Sequence, residues 1–479
     1  MQTARVWRRW EAAGTALALR RAAAVSLLLL IGLASGLAAA RYGLLVSLGT
    51  LAGLAVAVFA FFRPWDGFLV AVAIALLLPF GVLPVSLGLT PSFLELALLG
   101  FLAGWLLSPL LGGRWRGRFS LLDALAWTFF GLTLVSLIRG RGVTPTLLHN
   151  YGKLALGMLA FFGVRHLSPT RAHLRQFLRL FFLAAGLAAL LGLGLQALPD
   201  ALARDFLVGL GPLGYPTQGR VLRYVEDNPG GLERAIGTSV DPNSFGGMLA
   251  VAAAMAFPPL AAKRTWMVRM ALLLAGLYLT YSRAALGGFL AAAVFLAAAR
   301  YRRLWWFLLA GVLLLALLLL VGGGPALERL RQGILFQDLA NRMRLAEFAN
   351  ALAILGRYPV WGVGLGSAPD VDLSTGVSSL YLTVAERMGL VGLGSFLALV
   401  GVALVRGLRL ARREEERLPL LAGVVAALST GLLDHYFFNP EFPHMAFLLW
   451  GLLGLATAEV PPEDRGRTGD GPDPAEKSR

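Results

Sequence analysis

The amino-acid sequence predicts an all-α, polytopic transmembrane helical bundle of about 12–14 spans with a large, partly helical outward loop. Three observations lead there. The 479-residue chain is 57% hydrophobic and 15% charged, against roughly 25% charged for an ordinary soluble domain, and its mean hydropathy is +0.70. Apolar stretches long enough to cross about 30 Å of hydrocarbon recur almost from end to end. Basic residues cluster between those stretches, as the positive-inside rule requires. A soluble globule of this length needs more polar surface, and a disordered chain needs far fewer apolar residues, so both classes are excluded.

Residues 1–21 form a basic N-terminus carrying Arg5, Arg8, Arg9, Arg20 and Arg21. The apolar run that follows, about 22–40, has the look of a signal peptide, but no processing site stands out, and it reads as a retained first span. Further spans fall at about 43–62, 67–85, 91–112, 121–138, 148–165, 176–198, 243–261, 267–281, 284–299, 304–322, 380–405, 418–435 and 443–459. Only helices satisfy every backbone polar group within such segments. Alternate connections hold Arg114, Arg116 and Arg118, then Arg171 and Arg175, then Lys263 and Arg264, then Arg300, Arg302 and Arg303, then the run from Arg406 to Arg417. These clusters share one side with the N-terminus, which makes that side cytoplasmic. The membrane domain covers 22–459. A Pro-, Gly- and charge-rich tail at 460–479 is expected to be disordered and cytoplasmic.

The opposite side carries two long connections, about 199–242 and 323–379. Loops of that length are usually functional. In the second, Leu345, Phe348, Leu352 and Leu355 recur at helical spacing, with Arg344 and Glu347 on other faces. Tyr358-Pro359 should end that helix, because the residue before proline disfavours helical geometry.

Some chemistries drop out at once. The chain has no cysteine and five scattered histidines with no His-Glu-x-x-His pair, so thiolate catalysis is excluded and no metal or other cofactor is expected. The net charge of +16 does not point to nucleic acid, because the basic residues sit between apolar runs and not on a solvated patch. The Gly362-x-Gly364-x-Gly366 run lacks the strand and βαβ context of a dinucleotide loop and reads as a turn that lets the backbone re-enter the membrane.

The remaining candidates each have a bland and a functional reading. Asp241-Pro242-Asn243 opens a helix and suits an N-cap with proline in the first turn. Arg234 upstream makes poor sense beside the positive end of that helix unless an anion shares the site, which argues for a bound phosphate. Arg283, at a tight turn between two apolar helices, is either a snorkelling interfacial cation or a second cation aimed at the same place. Glu95 and Glu386 fall in or near apolar spans, where carboxylates are costly and often functional, although Glu386 adjoins Arg387 and can pair with it. Asp434-His435 ends a span on the outward side and offers either an acid/base unit or, with Tyr436, Phe437 and Phe438, part of an interfacial aromatic belt.

These residues occur in an order that resembles a known family. Arg234-x-x-Gly237 precedes Asp241-Pro242-Asn243. The Ser282-Arg283 turn follows, then Arg344-x-x-x-Phe348 leading to Pro359-x-x-Gly362-x-Gly364-x-Gly366. Ser379-x-Tyr381-Leu382 and Gly389-x-x-Gly392 complete the pattern. It is similar to the O-antigen ligase and polymerase superfamily of bacterial membrane glycosyltransferases, specifically over about residues 228–395. The resemblance implies a multi-pass protein of the bacterial inner membrane with cytoplasmic termini and a periplasmic active site. It implies transfer of a glycan from an undecaprenyl-diphosphate-linked donor to an acceptor hydroxyl, without a metal. The acceptor is another glycan, lipid A-core or a protein. On this basis Arg234, Arg283 and Arg344 would hold the diphosphate, Arg283 would also stabilise the leaving group, and Asp241, Asn243, Ser379 and Tyr381 would support them. Ligases usually carry a histidine at the start of the Tyr-Leu segment, where this chain has Ser378-Ser379. The base then falls to His435 oriented by Asp434, with Glu233 and Asp241 as competing carboxylates. A transporter or flippase of the same lipid-linked sugars is the rival class, and would place its charges at broken helices near the midplane.

Overall fold

The computed structural model describes residues 44–83, 89–110, 119–257, 264–321, 339–366 and 375–459, with scattered positions between 22 and 36. The expected N-terminus and first span, the Arg114–Arg118 cluster, Lys263, the start of the second outward loop and the 460–479 tail lie outside those residues, wholly or largely.

Fifteen α-helices make up the described chain, and no β-strand occurs among the described residues. They are α1 (Leu44–Phe62), α2 (Pro64–Leu77), α3 (Phe93–Leu106), α4 (Leu121–Arg139), α5 (Pro145–Leu167), α6 (Arg171–Ala197), α7 (Asp200–Gly209), α8 (Pro242–Ala256), α9 (Arg264–Leu279), α10 (Arg283–Ala299), α11 (Leu304–Val321), α12 (Leu339–Arg357), α13 (Leu380–Ala411), α14 (Arg417–Thr430) and α15 (Pro443–Thr457). Every expected span from 43 onward coincides with one of them. Three, α4, α6 and α13, are long and apolar enough to cross a membrane by length and composition. Others are shorter than a full crossing: the 14 residues of α2, α3 and α14 rise only about 21 Å at 1.5 Å per residue. Helix α2 stops at Leu77 rather than near 85, since Pro79 and Gly81 follow and the chain turns through Gly81 N–H to the Leu78 carbonyl. Helix α14 stops at Thr430 rather than near 435, because the chain turns at Gly431, whose carbonyl accepts the Leu380 N–H of α13.

The core is aromatic at its centre, where Phe129, Phe161 and Trp450 meet with ring centroids 5.8–6.0 Å apart. Helices α5 and α15 approach closely through Gly157 and Gly454, each set against the other helix's backbone, the small-residue packing that membrane helices use.

The connections sort to two ends. At one end lie 78–83, 89–92, 140–144, 198–241, 280–282, 358–366, 375–379 and 431–442, tied by Thr238 Oγ1 to the Leu77 carbonyl (2.8 Å), Val82 N–H to the Leu213 carbonyl (2.9 Å) and Leu365 N–H to the Ser136 carbonyl (2.9 Å). At the other end the basic clusters find partners. Arg165 grips Asp123 with two parallel bonds of 3.0 and 3.1 Å and donates to the Thr457 carbonyl and hydroxyl. Arg417 pairs with Glu414, and Arg300 with Glu415. Of the expected basic clusters, those at 300–303 and 406–417 therefore meet at one end.

Helix α13 is broken at Gly389, which takes φ +64 and ψ −165. The break frees backbone groups inside an apolar helix, where unmet polar groups are costly. The glycine-rich run meets them. Val363 N–H donates to the Glu386 carbonyl (2.9 Å) and Gly364 N–H to the Arg387 carbonyl (3.0 Å), while Leu390 N–H donates to the Pro359 carbonyl (2.7 Å). A side chain at Gly389 would collide with the Val360 carbonyl, and one at Gly362, φ +61, with the Glu386 carbonyl. The run is thus a clasp on the break in α13, resting on the end of α4.

Candidate functional site

The site lies where the first end's connections meet. Asp241 caps α8, its Oδ1 accepting from the Asn243 and Ser244 N–H groups at 2.8 and 2.9 Å. The residue before it, Val240, is held at φ +61, a conformation a β-branched residue rarely adopts and one that marks constrained functional turns. Arg234 lies across the mouth of the same helix. Its Nη2 donates to Asn243 Oδ1 (2.6 Å) and its Nε to the Thr280 carbonyl (2.8 Å), so two loops and two helix termini are joined through one guanidinium. Burial and the positive charge of Arg344 press on its protonated form; Asp241, Tyr436 and Asp434 support it.

Those same groups surround Asp434, which is 3% exposed. Burial and the nearby Asp241 push its carboxyl up to about 7, against the pull of Arg344 and of the His435 and Tyr436 amides. The Tyr436 hydroxyl shares hydrogen bonds with Asp241 and Asn243, and burial with the carboxylates of Asp241 and Asp434 pushes its pKa up. Arg344, half-buried on α12, is thereby placed in the electrostatic neighbourhood of both Arg234 and Asp434. One helical turn on, Glu347 Oε2 accepts the Ser378 N–H at 2.9 Å and acts on His435, whose imidazole burial pushes downward, to the neutral form at pH 7.

The expected orientation of His435 by Asp434 differs from what is seen. His435 Nδ1 and Asp434 Oδ1 stand 3.7 Å apart, too far for a hydrogen bond. The carboxylate accepts its neighbour's backbone N–H instead, at 2.8 Å, because adjacent residues in a tight turn present backbone more readily than ring. The imidazole stacks on Tyr436, centroids 4.9 Å apart.

Of the other sequence candidates, Arg283 and Ser379 adjoin this cluster and the rest have partners of their own. Arg283 is exposed at the first position of α10, just beyond the Ser282 cap and the Thr280 carbonyl that holds Arg234. Ser379 caps α13, with Oγ 3.5 Å from the Leu382 N–H, and Leu380 N–H donates to the Asp434 carbonyl at 2.9 Å, so this segment does reach the Asp434 turn. The Tyr381 hydroxyl donates to the Leu428 carbonyl (3.0 Å), an interhelical brace. Glu233 has its carboxyl pushed up to about 7 by burial and by Asp200; it sits on the Tyr224 bridge. Glu386 pairs with Arg387 (3.3 Å) and accepts the Gly376 N–H (3.1 Å), the structural alternative. Glu95 forms a capping box with Ser92 and meets His149 Nε2 at 2.8 Å. Among the described residues no group of three or more His, Asp or Glu side chains is arranged to hold a metal ion.

Sequence reasoning missed two members. Glu347 is three residues from Arg344, on a neighbouring face of one helix, and that spacing was the available signal. Tyr436 enters the sequence reading only through the interfacial-belt alternative, and nothing in its sequence neighbourhood points to Asp241.

Residues 268–397 match the family model described as O-antigen ligase. The match runs from α9 into α13 and takes in Arg283, Arg344, Glu347, Ser379 and Tyr381. Arg234, Asp241, Asp434 and His435 lie outside it and are joined to it by the contacts above. Comparison with curated proteins returns no match. The matched segment supports, at the general level, a membrane protein with a role in glycan transfer.

Proposed function

We propose that the protein transfers a glycan from an undecaprenyl-diphosphate-linked donor to an acceptor hydroxyl at the outer face of the bacterial inner membrane, without a metal. The carrying observation is that Arg234, bonded to Asn243 in the first turn of α8, and Arg344, more than a hundred positions on in the sequence, lie within electrostatic reach of each other and of Asp434. In the proposed reaction the acceptor oxygen attacks the anomeric carbon as the bond to the diphosphate oxygen breaks. Charge builds on the departing diphosphate. Fixed guanidinium donors and a helix N-terminus stabilise it, with Arg283 as the third cation. His435, neutral at pH 7, takes the acceptor proton. Asp434 tunes the local charge and does not orient the ring directly.

A second reading has a specific observation behind it. Transporters often break helices beside their substrate sites, and α13 is broken at Gly389. Against it, the freed backbone groups are taken by the chain's own clasp and Glu386 and Arg387 neutralise each other.

Glycoconjugates isolated from a deletion strain test the proposal. Full-length polymer left on the lipid carrier identifies a ligase, single repeats on the carrier a polymerase, and lost protein glycans a protein-glycosylating enzyme. Unchanged glycoconjugates would contradict all three.

A further inference from the structure

At the end of the bundle remote from the site, a cleft of about 600 Å³ opens between the start of α4 and the last turns of α13. Its walls are mixed. Leu121, Val402 and Val405 supply apolar surface, and Arg406, Arg409 and Arg413 supply charge. Val402, Arg406 and Arg409 follow one another at spacings of four and three residues, so they share one face of α13, and Arg413 lies in the turn just beyond its end. Beyond the break at Gly389, the 16 residues from Leu390 to Arg406 rise roughly 24 Å, most of the roughly 30 Å hydrocarbon core, so the cleft lies at the end of α13 opposite the site.

The three arginines are not equivalent. Arg406 is engaged, donating to the Thr457 carbonyl (3.0 Å) and to Glu459 (2.7 Å). Among the described residues Glu459 is the one carboxylate lining the cleft, and Arg406 takes it. Arg409 and Arg413 are exposed and are given no carboxylate partner among the described residues, unlike Arg165, Arg300 and Arg417 at the same end.

We propose that this cleft binds an anionic phospholipid from the leaflet opposite the glycan-transfer site. Two uncompensated guanidinium groups suit a phosphodiester, which accepts fork-shaped donors. A zwitterionic headgroup brings its own ammonium and offers the arginines less. The apolar wall argues for a lipid over a soluble anion: Leu121 is 66% and Val405 50% exposed, beside the cations, where a glycerol backbone and the first acyl carbons would lie. Basic pockets between transmembrane helices are the known physical form of such sites. A lipid held there pins the far end of the helix whose near end carries Ser379 and Leu380 against the Asp434 turn. The proposal does not depend on the glycan-transfer reading.

The test uses the full chain in nanodiscs of phosphatidylglycerol or phosphatidylcholine, with melting temperature and native mass spectrometry as readouts. Phosphatidylglycerol should raise the melting temperature by roughly 2–4 °C and remain bound on release. The Arg409→Gln/Arg413→Gln double variant should lose that increment and retain about tenfold less lipid, while melting like the unmodified protein in phosphatidylcholine. Equal retention by both proteins overturns the proposal. So does equal stabilisation by inorganic phosphate, which would mark a simple anion site. Lipid binding that emerges only after residues 460–479 are removed would assign the cleft to that segment instead.

Discussion

The Arg234 guanidinium and the Asn243 side-chain oxygen lie 2.6 Å apart, and that contact fastens the long connection after α6 to the first turn of α8. The second arm of the same guanidinium holds the Thr280 carbonyl just before Arg283. Three of the chain's predicted site positions are therefore mechanically linked before any substrate arrives.

Replacing Arg234 or Arg283 by lysine should lower the transfer rate about 10²-fold while keeping the charge, because the planar fork is lost; hydrogen bonds to charged groups are worth about 1.5–3 kcal/mol each. Initial rates with lipid-linked donor check this. Wild-type rates in both lysine variants would mark the two residues as interfacial anchors.

His435→Ala should lower the rate by about 10² or more and leave donor binding intact, the size of a general-base contribution. Burial holds the imidazole below its ordinary value, so the base form dominates at neutral pH and the wild-type rate should fall only on the acid side of pH 6.5. A variant with normal turnover and an unaltered pH profile removes His435 from the mechanism.

Glu347→Gln keeps an acceptor for the Ser378 N–H but deletes the negative charge that raises the His435 pKa. The acid limb of the rate profile should move to lower pH, with little change in the plateau. A purely structural Glu347 would leave the limb in place.

Asp434 makes a signed prediction for stability. Its folded pKa, about 7, lies above the ordinary value of 3.8. Its neutral form thus favours the folded state, and that contribution is complete below about pH 4 and lost as pH rises to about 7, with a limiting slope of about 1.4 kcal/mol per pH unit. Asp434→Asn should flatten the melting temperature between pH 5 and pH 8. Identical pH dependence in variant and wild type would contradict the buried, shifted carboxyl.

Gly389→Ala should be severely destabilising, by about 3 kcal/mol or more, because the positive φ and the collision with the Val360 carbonyl act together. Gly287, with no atom within 4 Å of an added Cβ, is the control, and its alanine variant should melt at or above wild type. Equal melting of the two variants would refute the clasp.

Much of this was legible in the sequence for one physical reason: a lipid-facing helix must be apolar along its length, so hydropathy alone located α1–α6, α8–α11 and α13–α15. Tyr358-Pro359 likewise ended α12 at Arg357. Helix α7 was hidden because Asp200, Arg204 and Asp205 interrupt its apolar positions. The break in α13 was hidden because its apolar run continues through Gly389, and only the backbone torsion reveals it. The resemblance puts Arg234, Arg283 and Arg344 on one diphosphate and makes Asp434-His435 the base unit, but no motif spacing puts Asp434 near Arg234, and the site's hydrogen bonds run from Arg234–Asn243, nine positions apart, to links such as Leu380–Asp434 between distant segments. A separation of 3.7 Å in place of a hydrogen bond at Asp434-His435 is a detail no spacing rule encodes.

Purified protein in liposomes with labelled undecaprenyl-diphosphate-linked glycan and a supplied acceptor tests the central claim most directly. Glycan transfer predicts product that forms only with acceptor present and that falls about 10²-fold in Arg234→Lys. Movement of the labelled lipid into a protected leaflet, with no acceptor-dependent product, would contradict it and establish a transporter.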